Sequence, residues 1–139
     1  MKNIEFTEEK RFNQKQVEKL FLSVGWVSGK YPEKLFSALM NSQTVISAWC
    51  GDELVGLIRA LDDGAMVAFL HYALIKPEFQ GRGIAGELLR RIKEKYAEYL
   101  YIELMPDQKK NVPFYEKYGF CIMPEGTAMY INNTPDEFK

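Results

Sequence analysis

The pattern of apolar and polar positions predicts two amphipathic helices near the start of the chain. Apolar residues recur every three or four positions across Phe12–Val24 and again across Glu33–Asn41, which is the period of an α-helix. Asn13 is a suitable N-cap for the first helix, and Gly25 is a suitable terminator. A short strand, Ile4–Phe6, is predicted to precede both helices.

The middle of the chain changes to the pattern of strands. β-Branched and aromatic residues fill Thr44–Cys50, and Leu54–Leu61 alternates again after the turn signal Gly51–Asp52, so these segments are predicted to pair as a hairpin. A second turn at Asp62–Gly64 leads into Met66–Ile75. This run is apolar at both odd and even positions, which is typical of a central strand covered by helices on both faces.

The second half of the chain begins with the strongest helical pattern. Ile84–Tyr96 places apolar side chains on one face and charged ones on the other. The next strand, Tyr101–Leu104, is predicted to lie parallel to Met66–Ile75, because a helix connects the two. The last predicted elements are a short helix over Asn111–Tyr118 closed by Gly119, a strand near Cys121–Met123 and a strand near Ala128–Ile131.

This order of elements predicts an α/β (α+β) fold of three layers, with helices on both faces of one sheet. No internal repeat, low-complexity tract or flexible linker interrupts the chain. Residues 1–139 are therefore predicted to form a single domain.

The composition adds limits on the class of protein. The chain has 139 residues, of which 47% are hydrophobic and 27% are charged, and this excludes intrinsic disorder. Its 18 basic and 19 acidic residues nearly cancel, so no nucleic acid is expected as a partner. The first residues do not form a signal peptide, and the longest apolar run, Ala65–Ile75, is too short to span a membrane. We therefore predict a cytoplasmic protein without a membrane partner.

Residues that ligate metals are few. Cys50 and Cys121 are far apart and match no metal-ligand spacing, and His71 is the single histidine. We predict no metal site, and we interpret both cysteines as buried thiols.

The clearest chemical signal is the turn from the predicted central strand into helix 84–96. From Gln80 the sequence reads Gln-Gly-Arg-Gly-Ile-Ala-Gly, so three glycines lie at one helix N-terminus. The first turn of a helix has unpaired amides and a partial positive charge, and it attracts anions. Gly81 and Gly83 let the backbone approach such an anion, and Arg82 adds a full charge beside it. The segment predicts a phosphate or pyrophosphate site.

Two alternatives stay open for this segment. The glycines could simply form a tight turn between strand and helix. Gly81–Gly86 also satisfies the dinucleotide fingerprint G-x-G-x-x-G, with Glu103 near the position of a ribose-binding acid. Against a dinucleotide, the motif lies past the middle of the chain, and too few residues follow it for a second mononucleotide half. A P-loop is excluded because the Gly-Lys-Ser/Thr ending is missing.

Two motifs resemble those of the GNAT superfamily of acyl-CoA-dependent N-acyltransferases. Gln80–Ala85 matches the acyl-CoA motif Gln/Arg-x-x-Gly-x-Gly/Ala, and Asn111–Phe120 resembles the motif of the helix after the fifth strand. The resemblance covers Thr44–Ile131 well, whereas residues 1–43 match only in element order. It implies a mixed, mostly antiparallel sheet in which the fourth and fifth strands are parallel.

The resemblance implies an N-acetyltransferase. Such an enzyme transfers an acetyl group from acetyl-CoA to a primary amine of a small molecule, by direct attack in a ternary complex and with no metal. Many members of the family are dimers, which makes a homodimer compatible with the resemblance, although no residue here argues for one. A catalytically silent CoA-binding or sensing module is the alternative.

The resemblance also assigns roles to residues. It implies that the amides of Gly81–Gly86 hold the pyrophosphate, and that pantetheine bonds along the central strand at Leu74 and Ile75, where the Ile75 amide acts as oxyanion donor. Tyr115 corresponds to the general acid that protonates the leaving thiolate. Asn111 would cap its helix or contact the pantetheine amide. The implied cofactor-binding set is Leu74, Ile75, Gln80, Gly81, Arg82, Gly83, Ile84, Ala85, Gly86, Asn111 and Tyr115.

His71 is the candidate general base. It precedes Ile75 by four residues and would share its face in a regular strand, and the arylalkylamine branch of the family uses histidine in this strand. Glu103, Asp62 and Asp63 are rivals, and a chain of water molecules to bulk solvent needs no single base.

The sequence says least about the residues that would bind the amine acceptor. The run Val24–Pro32 is aromatic and broken by glycines, which suits a mobile lid over a small apolar or aromatic amine. Packing of Trp26 into the core is the alternative.

Overall fold

The computed structural model describes residues 3–139. These residues group into two compact units, one that ends at Leu104 and one that spans Met105–Lys139. The sheet belongs to the first unit, and the second contains a short α-helix.

A five-stranded sheet forms the centre of the first unit. β4 and β5 are parallel, and the other neighbouring strands are antiparallel. The predicted mixed, mostly antiparallel sheet with its parallel pair is therefore confirmed. In their order across the sheet, the strands are β1 (Glu5–Thr7), β2 (Thr44–Cys50), β3 (Glu53–Asp62), β4 (Val67–Ile75) and β5 (Tyr101–Leu104).

Two helices, α1 (Gln14–Ser23) and α2 (Pro32–Met40), cover one face of the sheet. Asn13 caps α1 as predicted, because its side chain accepts a hydrogen bond from the Gln16 amide at 2.8 Å. The Gln16 side chain in turn accepts from the Asn13 amide at 2.9 Å, which completes a capping box. The buried core on this face consists of Phe12, Val17, Leu20, Phe21, Leu35, Leu39, Val45, Trp49, Leu54, Leu57 and Leu74.

The third helix, α3 (Ile84–Lys95), covers the other face. Beyond its C-terminal end, the hydroxyls of Tyr96 and Thr44 lie 2.7 Å apart in a hydrogen bond, and Tyr96 donates to Asp62 at 2.7 Å. Thr44 precedes Val45 of the first core, and adjacent strand residues point to opposite faces. The apolar face predicted for this helix is buried, through Ile84, Leu88, Leu89, Ile92 and Tyr96.

A β-bulge interrupts β4. Arg59 of β3 pairs with Tyr72, but the next β3 residue pairs with Leu70, so His71 is an extra residue in the ladder. Its ring bonds to Arg59 and lies against Tyr72. The expectation that His71 shares a face with Ile75 is therefore wrong, because the inserted residue breaks the two-residue alternation.

The expectation that both faces of β4 are covered holds at its C-terminal end, where the adjacent Leu74 and Ile75 are both buried, but not in its first half. Phe69 and His71 are exposed, whereas Ala68 and Leu70 between and beside them are buried. Apolar residues on both faces of a strand allow both faces to be buried. Which residues are in fact buried depends on where the helices pack on the sheet.

The second unit has little regular secondary structure. It contains α4 (Val112–Lys117), preceded by a 3₁₀ turn at Lys109–Asn111. Gly119 follows the helix with φ of 96° and closes it as predicted.

The strands predicted near residues 121–123 and 128–131 are wrong. These described residues form no strand, and the Met129 side chain is 90% exposed. An apolar segment becomes a strand only when a neighbour takes its hydrogen bonds, and composition supplies no such neighbour.

Within residues 3–139, no helix is long and apolar enough to cross a bilayer. Both cysteines are free thiols, but Cys50 is partly exposed and Cys121 is exposed. The expectation of two buried thiols is therefore wrong, because Cys50 ends β2 at the hairpin turn and Cys121 lies in the segment without a strand.

Candidate functional site

The N-terminus of α3 presents amides that the helix does not use. Gly83 is the N-cap residue, and no side chain of the described residues caps the helix. The first intrahelical bond runs from the Glu87 amide to the Gly83 carbonyl at 3.1 Å. The amides of Ile84, Ala85 and Gly86 therefore lack partners within the helix. Together with the positive end of the helix dipole, they form an anion site.

Gly81 and Gly83 have backbone conformations that other residues avoid. Their φ angles are 79° and 82°, in the left-handed region that favours glycine. A Cβ atom on either residue would meet nothing within 4 Å. The turn thus requires glycine for its backbone, and the open space in front of it leaves room for a ligand.

The loop before these glycines is tied to the end of β4. The Gln80 side-chain amide donates to the Ile75 carbonyl at 3.0 Å. The Lys76 side chain is 7% exposed and forms an ion pair with Glu53. These contacts fix the position of the glycine turn relative to the last residue of β4.

The charges near the turn favour an anion. Glu87 lies in the first turn of α3, but its carboxylate accepts hydrogen bonds from Arg90 and Arg91, each at 2.7 Å. These bonds hold the pKa of Glu87 at about 2, and the two arginines compensate its charge. The exposed Arg82 guanidinium lies 4.9 Å from the centroid of the Phe79 ring.

β4 continues past its parallel neighbour and leaves an edge. β5 pairs with β4 only from Val67 to Leu70, whereas β3 pairs with it as far as Ile75. The Lys76 amide donates to the Val55 carbonyl of β3 at 2.8 Å. Because successive amides of a strand point to opposite edges, the Ile75 amide points away from β3. An extended ligand can bond to such an edge like an added strand.

Gly56 brings β3 close to the end of β4. A Cβ atom on Gly56 would lie 2.6 Å from Ile75 Cδ1 and 3.0 Å from the Leu74 carbonyl oxygen. The Leu74 carbonyl therefore faces β3 and not the free edge, so the expectation that pantetheine bonds to the backbone of Leu74 does not fit this geometry, whereas the expectation for Ile75 does. The Ile75 side chain fills the space that the glycine leaves.

His71 is held by a buried arginine. Arg59 Nη1 donates to His71 Nδ1 at 3.0 Å, and since a guanidinium cannot accept, the neutral ring carries its proton on Nε2. Arg59 is 6% exposed, and its guanidinium carbon lies 4.7 Å from the centroid of the Tyr72 ring. Its Nε has no hydrogen-bond partner among residues 3–139. Burial lowers the pKa of Arg59, and the interaction with Tyr72 opposes this shift.

Tyr115 is half-buried on α4 of the second unit. Its ring centroid lies 5.3 Å from that of Phe114 and 6.0 Å from that of Phe120. Burial raises the pKa of Tyr115, and the charge of Asp107 raises it further. The phenol therefore keeps its proton at neutral pH.

Asn111 does not cap α4 with its side chain. The residue has φ of −89° and ψ of −8° and forms no side-chain capping bond with the described amides. An N-cap side chain reaches the helix amides from an extended backbone, so the capping interpretation is wrong.

The rival acids have structural partners. Asp62 accepts hydrogen bonds from Tyr96 at 2.7 Å and Tyr99 at 3.3 Å. The Asp63 carboxylate accepts from the three backbone amides of residues 65–67. These backbone hydrogen bonds lower the pKa of Asp63, which makes it a weaker base. Glu103 is half-buried within the short β5.

The segment between α1 and α2 is packed against the sheet. Residues 27–30 form a 3₁₀ turn. The Trp26 ring lies 5.9 Å from Phe21 and 6.0 Å from Tyr72, measured between centroids. The hydroxyls of Ser28 and Tyr72 form a hydrogen bond of 2.7 Å. The packing alternative for Trp26 is thus the one observed, and a mobile lid stays a prediction.

The structure gathers most of the predicted binding residues at one place and adds one that was missed. Arg59 escaped the sequence analysis, although the signal was present as a single cation within the apolar run 54–61, in phase with the buried Val55 and Leu57. Asn111 and Tyr115 belong to the second unit, so their part in the site stays a prediction. The residues gathered at the β4–α3 connection are Leu74, Ile75, Gln80, Gly81, Arg82, Gly83, Ile84, Ala85 and Gly86.

An uncapped helix N-terminus after a strand with a free edge is an arrangement that suits an extended, phosphate-bearing ligand. The family is shown by sequence, because the model of the Acetyltransferase (GNAT) family matches residues 10–120. The chain belongs to this family, which supports N-acetyltransferase activity.

Individual relatives agree with this assignment. The chain is 33% identical over 134 residues to the uncharacterized N-acetyltransferase ycf52 of Pyropia yezoensis, covering 90% of this chain and 74% of the relative. Among solved structures, it is similar to a GNAT-family acetyltransferase from Streptococcus pneumoniae, with 31% identity and a TM-score of 0.79 over 96% of this chain and all of the other.

A solved structure with CoA has the same fold. The aminoglycoside N-acetyltransferase AAC(6')-Iy in complex with CoA is 13% identical, with a TM-score of 0.72 over 96% of this chain and 97% of that protein. The likeness at this identity concerns the fold.

Proposed function

We propose that this protein transfers an acetyl group from acetyl-CoA to a primary amine of a small molecule, by direct attack of the amine in a ternary complex. The observation that carries the proposal is the set of three unpartnered amides of Ile84, Ala85 and Gly86 behind the left-handed Gly81 and Gly83. The residues fit the pyrophosphate of CoA, because they offer free donors, a positive helix end and open space.

The edge of β4 would hold the rest of the cosubstrate. Its Ile75 amide, which points away from β3, would donate to the thioester oxygen as negative charge develops there. Gln80 supports this by binding the Ile75 carbonyl, and Leu74 supports it by holding the strand end against β3. The thioester supplies the acyl group and a thiolate leaving group.

Tyr115 would protonate the leaving thiolate. The raised pKa of Tyr115 keeps its phenol protonated. A thiol has a pKa of roughly 8–9 and is therefore a stronger acid than the phenol, so this proton transfer is uphill by itself. Breakdown of the tetrahedral intermediate, which releases the thiolate, must drive it. Asn111, whose exposed side chain does not cap α4, would contact the pantetheine amide.

His71 would take the proton of the amine. Its neutral ring is the form that can accept one, but Nδ1 already accepts from Arg59, so that bond must open before the proton arrives. Transfer to bulk water needs no such opening. Replacing His71 by Gln should lower the rate and remove a neutral-pH limb of the kcat profile if His71 is the base. An unchanged profile would favour the water route.

Replacing Tyr115 by Phe tests the acid. Removal of a general acid costs roughly 100-fold or more in kcat, while the dissociation constant for acetyl-CoA should stay unchanged. The matched control is Tyr118→Phe on the same short helix. Thiol release from acetyl-CoA in the presence of an amine panel measures the rate, and calorimetry measures the affinity.

The pH profile adds a second readout. Because burial raises the pKa of Tyr115, the phenol keeps its proton to a higher pH than an ordinary phenol, so the Tyr115-dependent rate should fall only above the range in which an ordinary phenol with a pKa of about 10 loses its proton. Equal kcat in the Phe variant would remove Tyr115 from the mechanism. Tight acetyl-CoA binding without thiol release from any amine would instead indicate a silent CoA-binding module.

Three further properties are proposed on the sequence alone. They are one domain over residues 1–139, a cytoplasmic location, and a homodimer, which the resemblance to the family allows without any residue that argues for it. Sedimentation of the purified protein measures the oligomeric state.

A further inference from the structure

Arg59 is a buried cation without an anion. It lies in the middle of β3 and is 6% exposed. Among the described residues, no carboxylate forms an ion pair with it, and the electrostatic partner acting on it is Tyr72. A buried charge that lacks a counter-ion is costly to a fold, and each unsatisfied buried donor needs an explanation.

The hydrogen bonds of the guanidinium in the described part of the chain leave one buried N–H donor without a partner. Nη1 donates to His71, and within residues 3–139 the buried Nε has no partner. The ring of Tyr72 lies 4.7 Å from the guanidinium carbon, and such a contact satisfies the face of the group but not its in-plane N–H donors. Nε and the terminal nitrogen beside it form the parallel donor pair that matches a carboxylate.

The surroundings of Arg59 suit a small organic ligand. His71, which takes the Nη1 bond, is exposed, so the cluster lies where the sheet meets solvent. On the other side Tyr72 contacts Trp26 and bonds to Ser28, in the segment between α1 and α2. Aromatic rings, one unpaired guanidinium N–H and an imidazole whose Nδ1 accepts a hydrogen bond are therefore brought together.

We propose that Arg59 binds a carboxylate of the acceptor, so that the substrates are amines that also carry a carboxylate group, as amino acids do. This inference rests on the proposed acetyl transfer and narrows its acceptor class. The carboxylate pairs with Arg59 and leaves the amine to react, and Arg59 acts as a specificity-determining residue.

Matched pairs of amines test the inference. Phenylalanine is compared with phenethylamine, and lysine with cadaverine, so that each pair differs by one carboxylate. In the wild-type protein kcat/KM should be at least about tenfold higher for the carboxylated member of a pair, because a site built to pair a charge rejects the analogue that lacks it. Equal values within both pairs would overturn the inference.

Variants of Arg59 test whether this residue causes the preference for carboxylated amines. Arg59→Gln should bring kcat/KM for the two members of a pair close together, through a higher KM for the carboxylated amine. Loss of the Arg59–His71 bond acts on both amines alike, so it cancels in the ratio of the two values. Arg59→Lys should keep part of the preference. The control is Arg11→Gln, because Arg11 is also stacked on an aromatic ring, 4.4 Å from the centroid of Trp49. An equal loss for both amines in Arg59→Gln would mean a structural role and would overturn the inference.

A binding measurement keeps the inference separate from catalysis. Calorimetry of 3-phenylpropanoate with the wild-type protein should detect binding, and the corresponding alcohol, 3-phenylpropanol, should bind at least about tenfold more weakly. Absence of heat for the carboxylate would overturn the inference even if amines are acetylated. Absence of thiol release from every amine, with carboxylate binding intact, would overturn only the acetyl transfer.

Discussion

At the scale of single residues, two left-handed glycines can be compared directly. Gly83 at the N-cap of α3 has φ of 82°, and Gly64 in the turn between β3 and β4 has φ of 81°. A Cβ atom would meet nothing within 4 Å at either position. A side chain at either position should therefore cause the same backbone strain. The two positions differ only in that Gly83 lies at the N-terminus of α3, whereas Gly64 lies in a turn between strands.

Replacing either glycine by Ala should destabilise the fold by about 1–2 kcal/mol, because a left-handed backbone disfavours a side chain. Only Gly83→Ala should also weaken acetyl-CoA binding, since only Gly83 lies at the anion site. Urea unfolding measures the first effect and calorimetry the second. Equal acetyl-CoA affinity in the two variants would contradict a role for Gly83 beyond the turn.

Some residues of the candidate site could be predicted from the sequence, and others could not. The glycines, Gln80 and the helix start could be predicted, because their chemistry depends on neighbours in sequence. His71 could not be assigned to a face, because the bulge that displaces it is a property of the β3–β4 pairing. Arg59 could not be singled out from the sequence, because its burial and the missing partner of its Nε among residues 3–139 depend on the three-dimensional packing.

At the scale of elements, the end of β4 depends on its close contact with β3. Gly56→Ala would place a methyl group 2.6 Å from Ile75 Cδ1, so the strand end must shift. The expected destabilisation is about 1–3 kcal/mol, as for other overpacked sites, with a weaker affinity for acetyl-CoA. Chemical denaturation and calorimetry measure the two effects.

A second substitution tests the cause. Ile75→Val removes the Cδ1 atom, so the double variant Gly56→Ala with Ile75→Val should be more stable than the sum of the single effects predicts. The rescue is expected to be partial, because the Leu74 carbonyl also lies 3.0 Å from the new methyl group. Strict additivity would show that the methyl group does not act through Ile75.

Elements with a strong internal pattern were predicted well. The helices α1 to α3 show a helical period of apolar residues in the local sequence, and α1 also shows its N-cap residue. The five strands show β-branched and apolar runs bounded by turn residues. The strands predicted within residues 121–131 were wrong, because a strand needs a neighbouring strand for its backbone hydrogen bonds and the apolar residues of this segment do not indicate one.

At the scale of the whole molecule, ligand binding should increase the free energy of unfolding of the protein. A ligand that binds only the folded protein stabilises it by about 2.7 kcal/mol at 100 times its dissociation constant. Acetyl-CoA should therefore raise Tm, whereas oxidised and reduced nicotinamide dinucleotides should not. A rise in Tm with the dinucleotides alone would favour the G-x-G-x-x-G alternative over the acyl-CoA site.

The central claim, that free amides at the start of α3 bind the cosubstrate, is tested most directly by NMR of ¹⁵N-labelled protein titrated with acetyl-CoA. The largest amide shifts are expected at Gly81–Gly86 and Ile75, with the amide of Gly64 as an unperturbed reference. Saturation of the protein while those amides keep their positions would contradict the account.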